Sequence, residues 1–466
     1  MKFKDKKVTV MGLGLQGSGV EMVKFLVKQG AQVMVTDIKT AETLKPALEK
    51  LKGLKNVKYI LGMHRSEDFS KTDLVIKGPG VAWNSKYLEI AKKYKVPVET
   101  EAGLFIKLNQ NPFVGITGTR GKSTTTQLIF EILKKAGQDV LIGGNMQEKP
   151  LIKLLTQVKK TSTWLILELS SFQLEGMRCH KRSAQVAVLT NLMADHLNRY
   201  KNLEAYHKSK HTILEFQNQD DFAVLNYDDE KVRGLTEITK AKVMFFSGQK
   251  IGCENAVYLD QDKVIFKTPN QKEQEIVNIN NLKLIGEHRH LNVLAAIAVA
   301  KIFKVENQTI KQVVENFAGI EHRLEPVKQI DQVSYVNDTT ATVPEATINA
   351  IKAFDQVILI AGGTDKKLDF TGLAGLITKQ VKKLILVPGS GTDRIVNAIR
   401  KYDPDKLKQE NWFFKAQDLD EAVKIAKEQA QAQDTVLLSP ACSSFNQFNN
   451  EFERGQVFKQ AVEGLS

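Results

Sequence analysis

The sequence predicts an α/β protein of three domains, each built on a mostly parallel sheet. Three observations predict it. The 466 residues exceed what one ordinary core accommodates, so two or three domains are expected. Short apolar runs alternate with helical patterns along the whole chain, as in strands buried on both faces of a sheet. Twice, a strand-like run passes through a glycine turn directly into a helical pattern. Apolar residues make up 42% of the chain and prolines number 11, which fits a globular chain rather than a disordered one.

The first block runs to residue 100. The strand-like KVTVMG leads through GLGLQG into the helical GVEMVKFLVKQG and then the strand-like QVMVTD. Gly12, Gly14 and Gly17 spell GxGxxG, with Asp37 about 20 residues further on, the Rossmann-like fingerprint in its strand–turn–helix context. Such a turn binds a nucleotide, or is simply a tight turn with no ligand. DLVIKGPGVAWNS adds a strand that ends in a Gly-Pro-Gly loop able to hold a phosphate or a sugar.

The second block, 101–319, contains GITGTRGKSTTT from Gly115 to Thr126, between Phe113-Val114 and the helical QLIFEILKKAG. Gly118 and Gly121 let phosphate oxygens approach the backbone, and the first N–H groups of the next helix face the anion. Lys122 would reach the β- and γ-phosphates and Ser123 would ligate magnesium. Ile116 stands where the Walker pattern has glycine, so the local signal is GxxGKS with TGT ahead of it. This block therefore reads as a P-loop-type ATPase domain. DVLIGGN, WLILELSS, VAVLTNL and DFAVLN read as parallel strands with polar residues at their C-terminal ends, where open α/β sheets bind ligands. Glu168 ends one of them. Its carboxylate either completes a magnesium site with Ser123 or is a solvated strand-end acid. Asp195 and His196 follow another.

NLEAYHKSKHTILEF reads as a helix with Leu203, Tyr206, Lys210 and Ile213 on one face. Lys210 on an apolar face either snorkels to water or is buried with a depressed pKa. A neutral buried amine takes up CO₂ to give a carbamate, an anionic oxygen ligand for a metal. The third block, 320–466, repeats the alternation in VSYVND, QVILIAGG, KLILVPG and TVLLSPA, and reads as a second Rossmann-like domain.

The net charge of +13 admits nucleic acid as a partner. The lysines are dispersed, aromatics do not interleave with them, and no helix-turn-helix, zinc-finger or RNP signature occurs, so no nucleic-acid partner is expected. Cys179, Cys253 and Cys442 lie far apart in sequence, which predicts neither a disulfide framework nor a zinc site. No run approaches the roughly 18 to 20 apolar residues of a membrane span. The N-terminal segment reads as a first strand rather than a signal peptide, so a cytoplasmic protein is expected.

TGTRGKST, LELSSFQLE, NLMADHLNRY, GEHRHLN, HRLEPV and LLSPACSSF, in that order, resemble the Mur ligases along the whole chain. The resemblance implies an ATP-dependent, ADP-forming amide ligase of peptidoglycan precursor synthesis. Its substrates would be UDP-N-acetylmuramoyl-L-alanine and glutamate, joined through an acyl phosphate by a monomer. The N-terminal domain would then bind UDP rather than NAD, through Leu15, Gln16, Asp37 and Gly80. Gly118, Thr119, Arg120, Gly121, Lys122, Ser123 and Thr124 would bind ATP, with Asn292, Arg323 and Asp338. Ser123, Glu168, His196 and Lys210 as its carbamate would hold two Mg²⁺ ions, and Lys122, Glu168, His196 and Lys210 would be catalytic. Asn145 would contact the muramoyl substrate. Thr342, Lys366, Ser444 and Phe445 would hold glutamate.

The chain departs from the family pattern at Arg120, Ala194 and Arg289, and most of all at Thr340, Val343 and Glu451 in the amino-acid-binding domain. D-glutamate, L-glutamate and another amino acid all remain open on that ground. The other readings are a second type of Mur ligase or folylpolyglutamate-like synthetase, a nucleotide-binding scaffold without activity, and an NAD oxidoreductase. The last leaves the GKS turn and Glu168 unexplained.

Overall fold

A computed structural model describes residues 3–15, 17–146, 149–194, 200–269, 271–284, 290–365, 368–444 and 447–465. The chain divides into two compact units, Met1–Asn281 with His290–Val314 and Leu282–Arg289 with Glu315–Ser466. Among the described residues the first unit carries two sheets and the second carries one.

The first sheet consists of β1 (Lys7–Met11), β2 (Gln32–Asp37), β3 (Val57–Leu61), β4 (Leu74–Lys77) and β5 (Val98–Thr100). It is parallel throughout, in the order β3-β2-β1-β4-β5. The chain runs outward from β1 to one side and then crosses to the other, which opens a crevice at the C-terminal ends of β1 and β4. Helix Ser18–Lys28 buries Val20, Val23 and Leu26 against this sheet. A fully buried side chain of that size contributes about 1.5–3 kcal/mol.

The second sheet has β6 (Phe113–Thr117), β7 (Val140–Gly144), β8 (Trp164–Glu168), β9 (Val186–Leu189), β10 (Phe222–Asn226), β11 (Lys242–Ser247), β12 (Ala256–Asp260), β13 (Lys263–Lys267) and β14 (Gln274–Asn278). Its order is β14-β13-β12-β11-β10-β9-β6-β8-β7. β7 to β12 with β6 form a parallel array, while β12, β13 and β14 form an antiparallel meander that the apolar runs do not predict. β6 lies between β8 and β9, with Ile116 registered opposite Glu168 on one side and Val188 on the other. Every residue of β6 is buried, as expected for a central strand covered on both faces.

In the second unit, β15 (Glu325–Ile330), β16 (Val333–Asn337), β17 (Val357–Gly362), β18 (Val381–Val387), β19 (Phe413–Lys415) and β20 (Thr435–Leu438) are ordered β15-β16-β20-β17-β18-β19. Only β15 runs antiparallel to its neighbour. Leu359, Leu384 and Leu437 on one face, and Ile358, Ile385 and Val436 on the other, enter separate buried clusters, so this sheet is covered on both sides.

Candidate active site

The GKS turn leaves the C-terminal end of β6, an interior strand third from the β7 edge of the nine-stranded sheet. Gly118 and Gly121 have φ of +147° and +81°. A Cβ on Gly118 would lie 1.9 Å from Thr190 Oγ1, and one on Gly121 would lie 2.2 Å from Asn292 Oδ1. Both positions therefore require glycine on sterics as well as backbone angle. Gly121 caps helix Lys122–Lys135 without any side-chain hydrogen bond. The helix thus begins with donors and a positive dipole end that no side chain of its own cap satisfies.

The turn is braced from the end of β9. The Asn191 carbonyl accepts from Thr119 N at 3.0 Å, and its side-chain Oδ1 accepts from Arg120 N at 2.8 Å. Thr190 Oγ1 donates to the Arg120 carbonyl at 2.6 Å. Tyr206 donates its hydroxyl to Thr119 Oγ1 at 3.3 Å. These braces fix the loop before any ligand arrives. Sequence reasoning passes over Thr190 and Asn191. Their only signal is their place directly after a buried strand. Asn292, on helix His290–Ile302, accepts from Thr125 Oγ1 at 3.3 Å and so packs against the start of the phosphate helix.

Two lysines converge on one carbonyl oxygen. Lys122 Nζ donates to Gly118 O at 3.1 Å and to Thr119 O at 3.0 Å. Lys210 Nζ donates to the same Gly118 O at 3.0 Å. Lys210 is only 1% exposed, on helix Leu203–Glu215, and its ammonium lies 4.7 Å over the Tyr206 ring. It does not snorkel to water: Tyr206 and Ile213 are buried beside it on the same helix face. Positive charge is therefore concentrated beneath the turn, where a polyphosphate would sit.

Glu168 is buried at the end of β8, the strand next to β6. Its Oε1 accepts from Asn145 Nδ2 at 2.9 Å, while Oε2 is buried with no hydrogen-bond partner. A carboxylate oxygen in that position costs free energy unless something cationic meets it. Glu168 is thus not a solvated strand-end acid. The donor set fits Mg²⁺, an oxygen-seeking ion that takes one or two carboxylates with phosphate oxygens. Ser123 is half-buried in the first turn of the helix that follows β6, the strand paired with β8. Asn145 is exposed at the end of β7, and its backbone N–H also donates to the Glu168 carbonyl at 2.8 Å. His196, with Asp195, lies outside the described residues.

The GxGxxG turn is built differently. Asp37, at the end of β2, accepts through Oδ2 from Leu13 N at 2.9 Å and Gly14 N at 3.3 Å, and through Oδ1 from Lys39 N at 2.9 Å. An NAD-binding domain uses such an acid on the ribose hydroxyls and leaves the turn's N–H groups to the diphosphate. Here the carboxylate itself occupies them. Leu15 is 42% exposed beside this turn, and Gly80 is exposed in the Gly-Pro-Gly loop after β4. Gln16 lies outside the described residues.

In the second unit, Asp338 follows β16. Its Oδ1 accepts from Leu324 N at 3.1 Å and its Oδ2 from Ser439 Oγ at 2.9 Å. Arg323 is half-buried in the turn before β15. Thr342 precedes helix Pro344–Ile351. Ser444 is 4% exposed and its Oγ has no partner, nor has the buried Thr364 Oγ1 after β17. Buried hydroxyls without partners are uncommon and suit a polar ligand. Lys366 and Phe445 lie outside the described residues. Thr340 donates its hydroxyl to the His322 carbonyl at 3.0 Å, so this departure from the family pattern ties the loop to the start of the domain.

Three family models match the chain: the Mur ligase MurD-like N-terminal domain over residues 6–100, the Mur ligase middle domain over 116–300, and the Mur ligase glutamate ligase domain over 322–442. A UDP-N-acetylmuramoylalanine–D-glutamate ligase of Roseiflexus sp. (strain RS-1) is 37% identical over 473 residues, covering 100% of both chains. One of Clostridioides difficile (strain 630) is 38% identical over 467 residues, again covering 100% of both. Among solved structures, the UDP-N-acetylmuramate–alanine ligase MurC of Thermotoga maritima superposes with a TM-score of 0.62 at 18% identity, covering 98% of this chain and 99% of that one. At that identity the likeness speaks for the three-domain fold alone. Full-length similarity above a third, domain models in the same order, and a lysine-bearing phosphate turn beside a buried acid agree: the chain belongs to the Mur ligase family.

Proposed function

We propose that the chain joins D-glutamate to UDP-N-acetylmuramoyl-L-alanine at the expense of ATP, in the cytoplasm, as a step in peptidoglycan precursor synthesis. The observation that carries the catalytic reading is the pairing of the GKS turn with Glu168 on adjacent parallel strands, Glu168 holding one buried oxygen free of hydrogen bonds. The full-length relatives named as D-glutamate ligases carry the choice of substrates.

The terminal alanine carboxylate is a poor electrophile, so phosphoryl transfer from ATP makes it an acyl phosphate. The glutamate amine then attacks the acyl carbon and phosphate leaves. Little covalent chemistry falls to the protein, whose work is positioning and charge stabilisation. Gly118 to Thr124 wrap the phosphates through their N–H groups. Lys122 leaves its two loop carbonyls to meet the transferring phosphoryl group. Glu168, Ser123, His196 and Lys210 are the residues that would hold Mg²⁺, which supplies Lewis-acid stabilisation of phosphoryl charge when bound. Asn145, which donates to Glu168, orients the muramoyl end. Thr342, Lys366, Ser444 and Phe445 hold glutamate.

Lys210 is the proposed carbamate. Its buried amine lies at the Gly118 carbonyl in competition with Lys122, and CO₂ uptake would replace one of two neighbouring cations with an anion. Lys210→Ala is expected to lower phosphate release on the order of a hundredfold, with partial recovery on adding a short carboxylic acid. No recovery across a range of such acids would count against the carbamate.

The test of the function itself is ADP and phosphate formation with UDP-N-acetylmuramoyl-L-alanine and each amino acid in turn. D-glutamate should support turnover and L-glutamate should not. Turnover with L-glutamate, or with neither, would refute the substrate assignment. ATP binding without any amino-acid-dependent ADP would refute the enzymatic reading.

A further inference from the structure

Among the described residues one group of metal-ligating side chains lies together, on the first unit and away from the GKS turn: Glu99, Cys179 and His180. The sequence gives no sign of it, because the acid stands 80 residues before the other two. Glu99 is the middle residue of β5, which runs directly into helix Glu101–Leu108. Cys179 and His180 follow helix Ser171–Arg178. The two helices approach at glycines. A Cβ on Gly176 would lie 2.0 Å from Thr100 Oγ1, and one on Gly103 would lie 2.7 Å from the Gly176 carbonyl. That close crossing brings Glu99 of β5 to the Cys-His pair.

We propose that Glu99, Cys179 and His180 form a zinc-binding site. Their ligand atoms lie within 4.8 Å of one another, and His180 Nε2 is 3.2 Å from Glu99 Oε2. Zinc bonds of about 2.0–2.2 Å to nitrogen and oxygen give a tetrahedral edge of about 3.4 Å, so the imidazole and carboxylate already stand as two zinc ligands would. Cys179 is exposed, and its sulfur, within 4.8 Å of the other two ligand atoms, must close by at most about 1 Å to make a zinc–sulfur bond of about 2.3 Å. At present it donates weakly to the Gly176 carbonyl.

Sulfur, imidazole nitrogen and one carboxylate oxygen select zinc over magnesium or calcium, which prefer all-oxygen sets. Three protein ligands leave the fourth position to water. On binding, zinc takes the place of the proton between Nε2 and Oε2, which passes to Nδ1 through solvent so that the imidazole stays neutral, and the thiol releases its own proton to solvent. Glu99 Oε1 lies 3.9 Å from Lys107 Nζ, so the second carboxylate oxygen keeps a cation beside it. The bound ion would pin the end of the first sheet to a helix packed on the second.

The experiment uses the full chain, stripped with a chelator and dialysed, with Mg²⁺ in large excess to fill oxygen-donor sites. Zn²⁺ is titrated by calorimetry and Co²⁺ by absorption. About one ion per chain is expected, with a thiolate-to-cobalt charge-transfer band in the near ultraviolet. Cys179→Ser should abolish that band, while Cys253→Ser should leave it intact. His180→Gln should weaken zinc at least about tenfold, and decides the matter if the serine variant fails to fold. A band that survives Cys179→Ser, zinc affinity unchanged in His180→Gln, or no binding at micromolar zinc would overturn the proposal. None of these readouts depends on ligase activity.

Discussion

Two glycine turns in this chain follow the same plan and end differently. Gly12 to Gly17 and Gly118 to Gly121 each leave a central parallel strand. Each ends in a left-handed glycine that caps a helix with no side-chain hydrogen bond. In the first turn Asp37 supplies an anion from within the protein and satisfies Leu13 N and Gly14 N. In the second, among the described residues, no acid does this: the N–H groups of Thr119 and Arg120 meet the carbonyl and side-chain oxygens of Asn191. Two lysines donate to the turn's carbonyls, and Glu168, on the strand paired with β6, keeps a buried oxygen without a hydrogen-bond partner. One turn is closed by its own carboxylate, and the other is the one proposed to accept phosphates. Glycine spacing sets the backbone path; where the charges stand sets the ligand.

The largest expected effect separates the two turns on chemistry. Lys122→Ala should lower amino-acid-dependent phosphate release about a thousandfold, because a cation that meets the transferring phosphoryl group is lost. Its thermal stability should change by about 1 kcal/mol, since the lysine's bonds to Gly118 O and Thr119 O are to carbonyls of a partly exposed loop. Steady-state rates and a thermal melt on the same sample check both halves. A variant that keeps near-normal turnover breaks the comparison.

Glu168→Gln sharpens it. The change is nearly isosteric and keeps an acceptor for Asn145. Turnover should fall on the order of a hundredfold, with a raised Mg²⁺ requirement. In metal-free buffer the variant should melt at or above the wild-type temperature, because a buried carboxylate oxygen without a partner has been neutralised. A melt well below wild type would show that Glu168 serves packing rather than an ion.

Much of this contrast can be read in the sequence, and the rest fails for identifiable reasons. The GKS turn and Glu168 stand out because strand, turn and acid are each local patterns. The closing of the first turn by Asp37 is not legible. An acid at that position fits either a ribose or the turn's own N–H groups, and only the direction of its side chain decides. Buried central strands such as FVGIT and VAVL are plain from composition. Some edge strands are not: β14 (QEIVN) and β15 (EPVKQI) are mostly polar, so no apolar run marks them. The hairpin of β12 and β13 turns through Gln261 at φ +54° rather than through an Asn-Gly pair, which removes the usual turn signal. Lys210 shows the limit of helical periodicity. It places the lysine on an apolar face but leaves open whether the chain extends to water. The fold of Tyr206 over its ammonium settles that in favour of burial.

Asp37→Ala should act on stability where Lys122→Ala acts on rate. Removing the carboxylate strands two N–H groups in a largely buried turn, at a cost of about 2 kcal/mol. Once folded, the variant should transfer phosphate with little change in kcat, and its defect should appear in KM for the UDP substrate. A collapse in kcat with an unchanged melt would mean that the first turn takes part in the chemistry, and the distinction drawn between the two turns would fall.

The smallest effect concerns a second built-in anion of the same kind. Glu101 is buried beside the first helix, where its Oε2 accepts from Ser18 Oγ at 2.7 Å and its Oε1 from Ile152 N at 3.0 Å. Burial pushes its carboxyl above the usual range, and these hydrogen bonds only partly oppose the shift. The folded chain therefore holds the Glu101 proton more tightly than the unfolded chain does. Between the unfolded value and the higher folded one, the folded state binds more protons, so this group's contribution falls as pH rises through that window. Glu101→Gln carries no charge and keeps both contacts: its amide oxygen accepts from Ile152 N, and its amide N–H donates to Ser18 Oγ once that hydroxyl rotates. It should match the wild type in acid, where Glu101 is already protonated, and exceed it at neutral pH. Denaturant midpoints for both proteins across the acid-to-neutral range test this. A glutamine variant that is less stable at neutral pH would show that the ionised carboxylate, like that of Asp37, is needed by the N–H groups it meets.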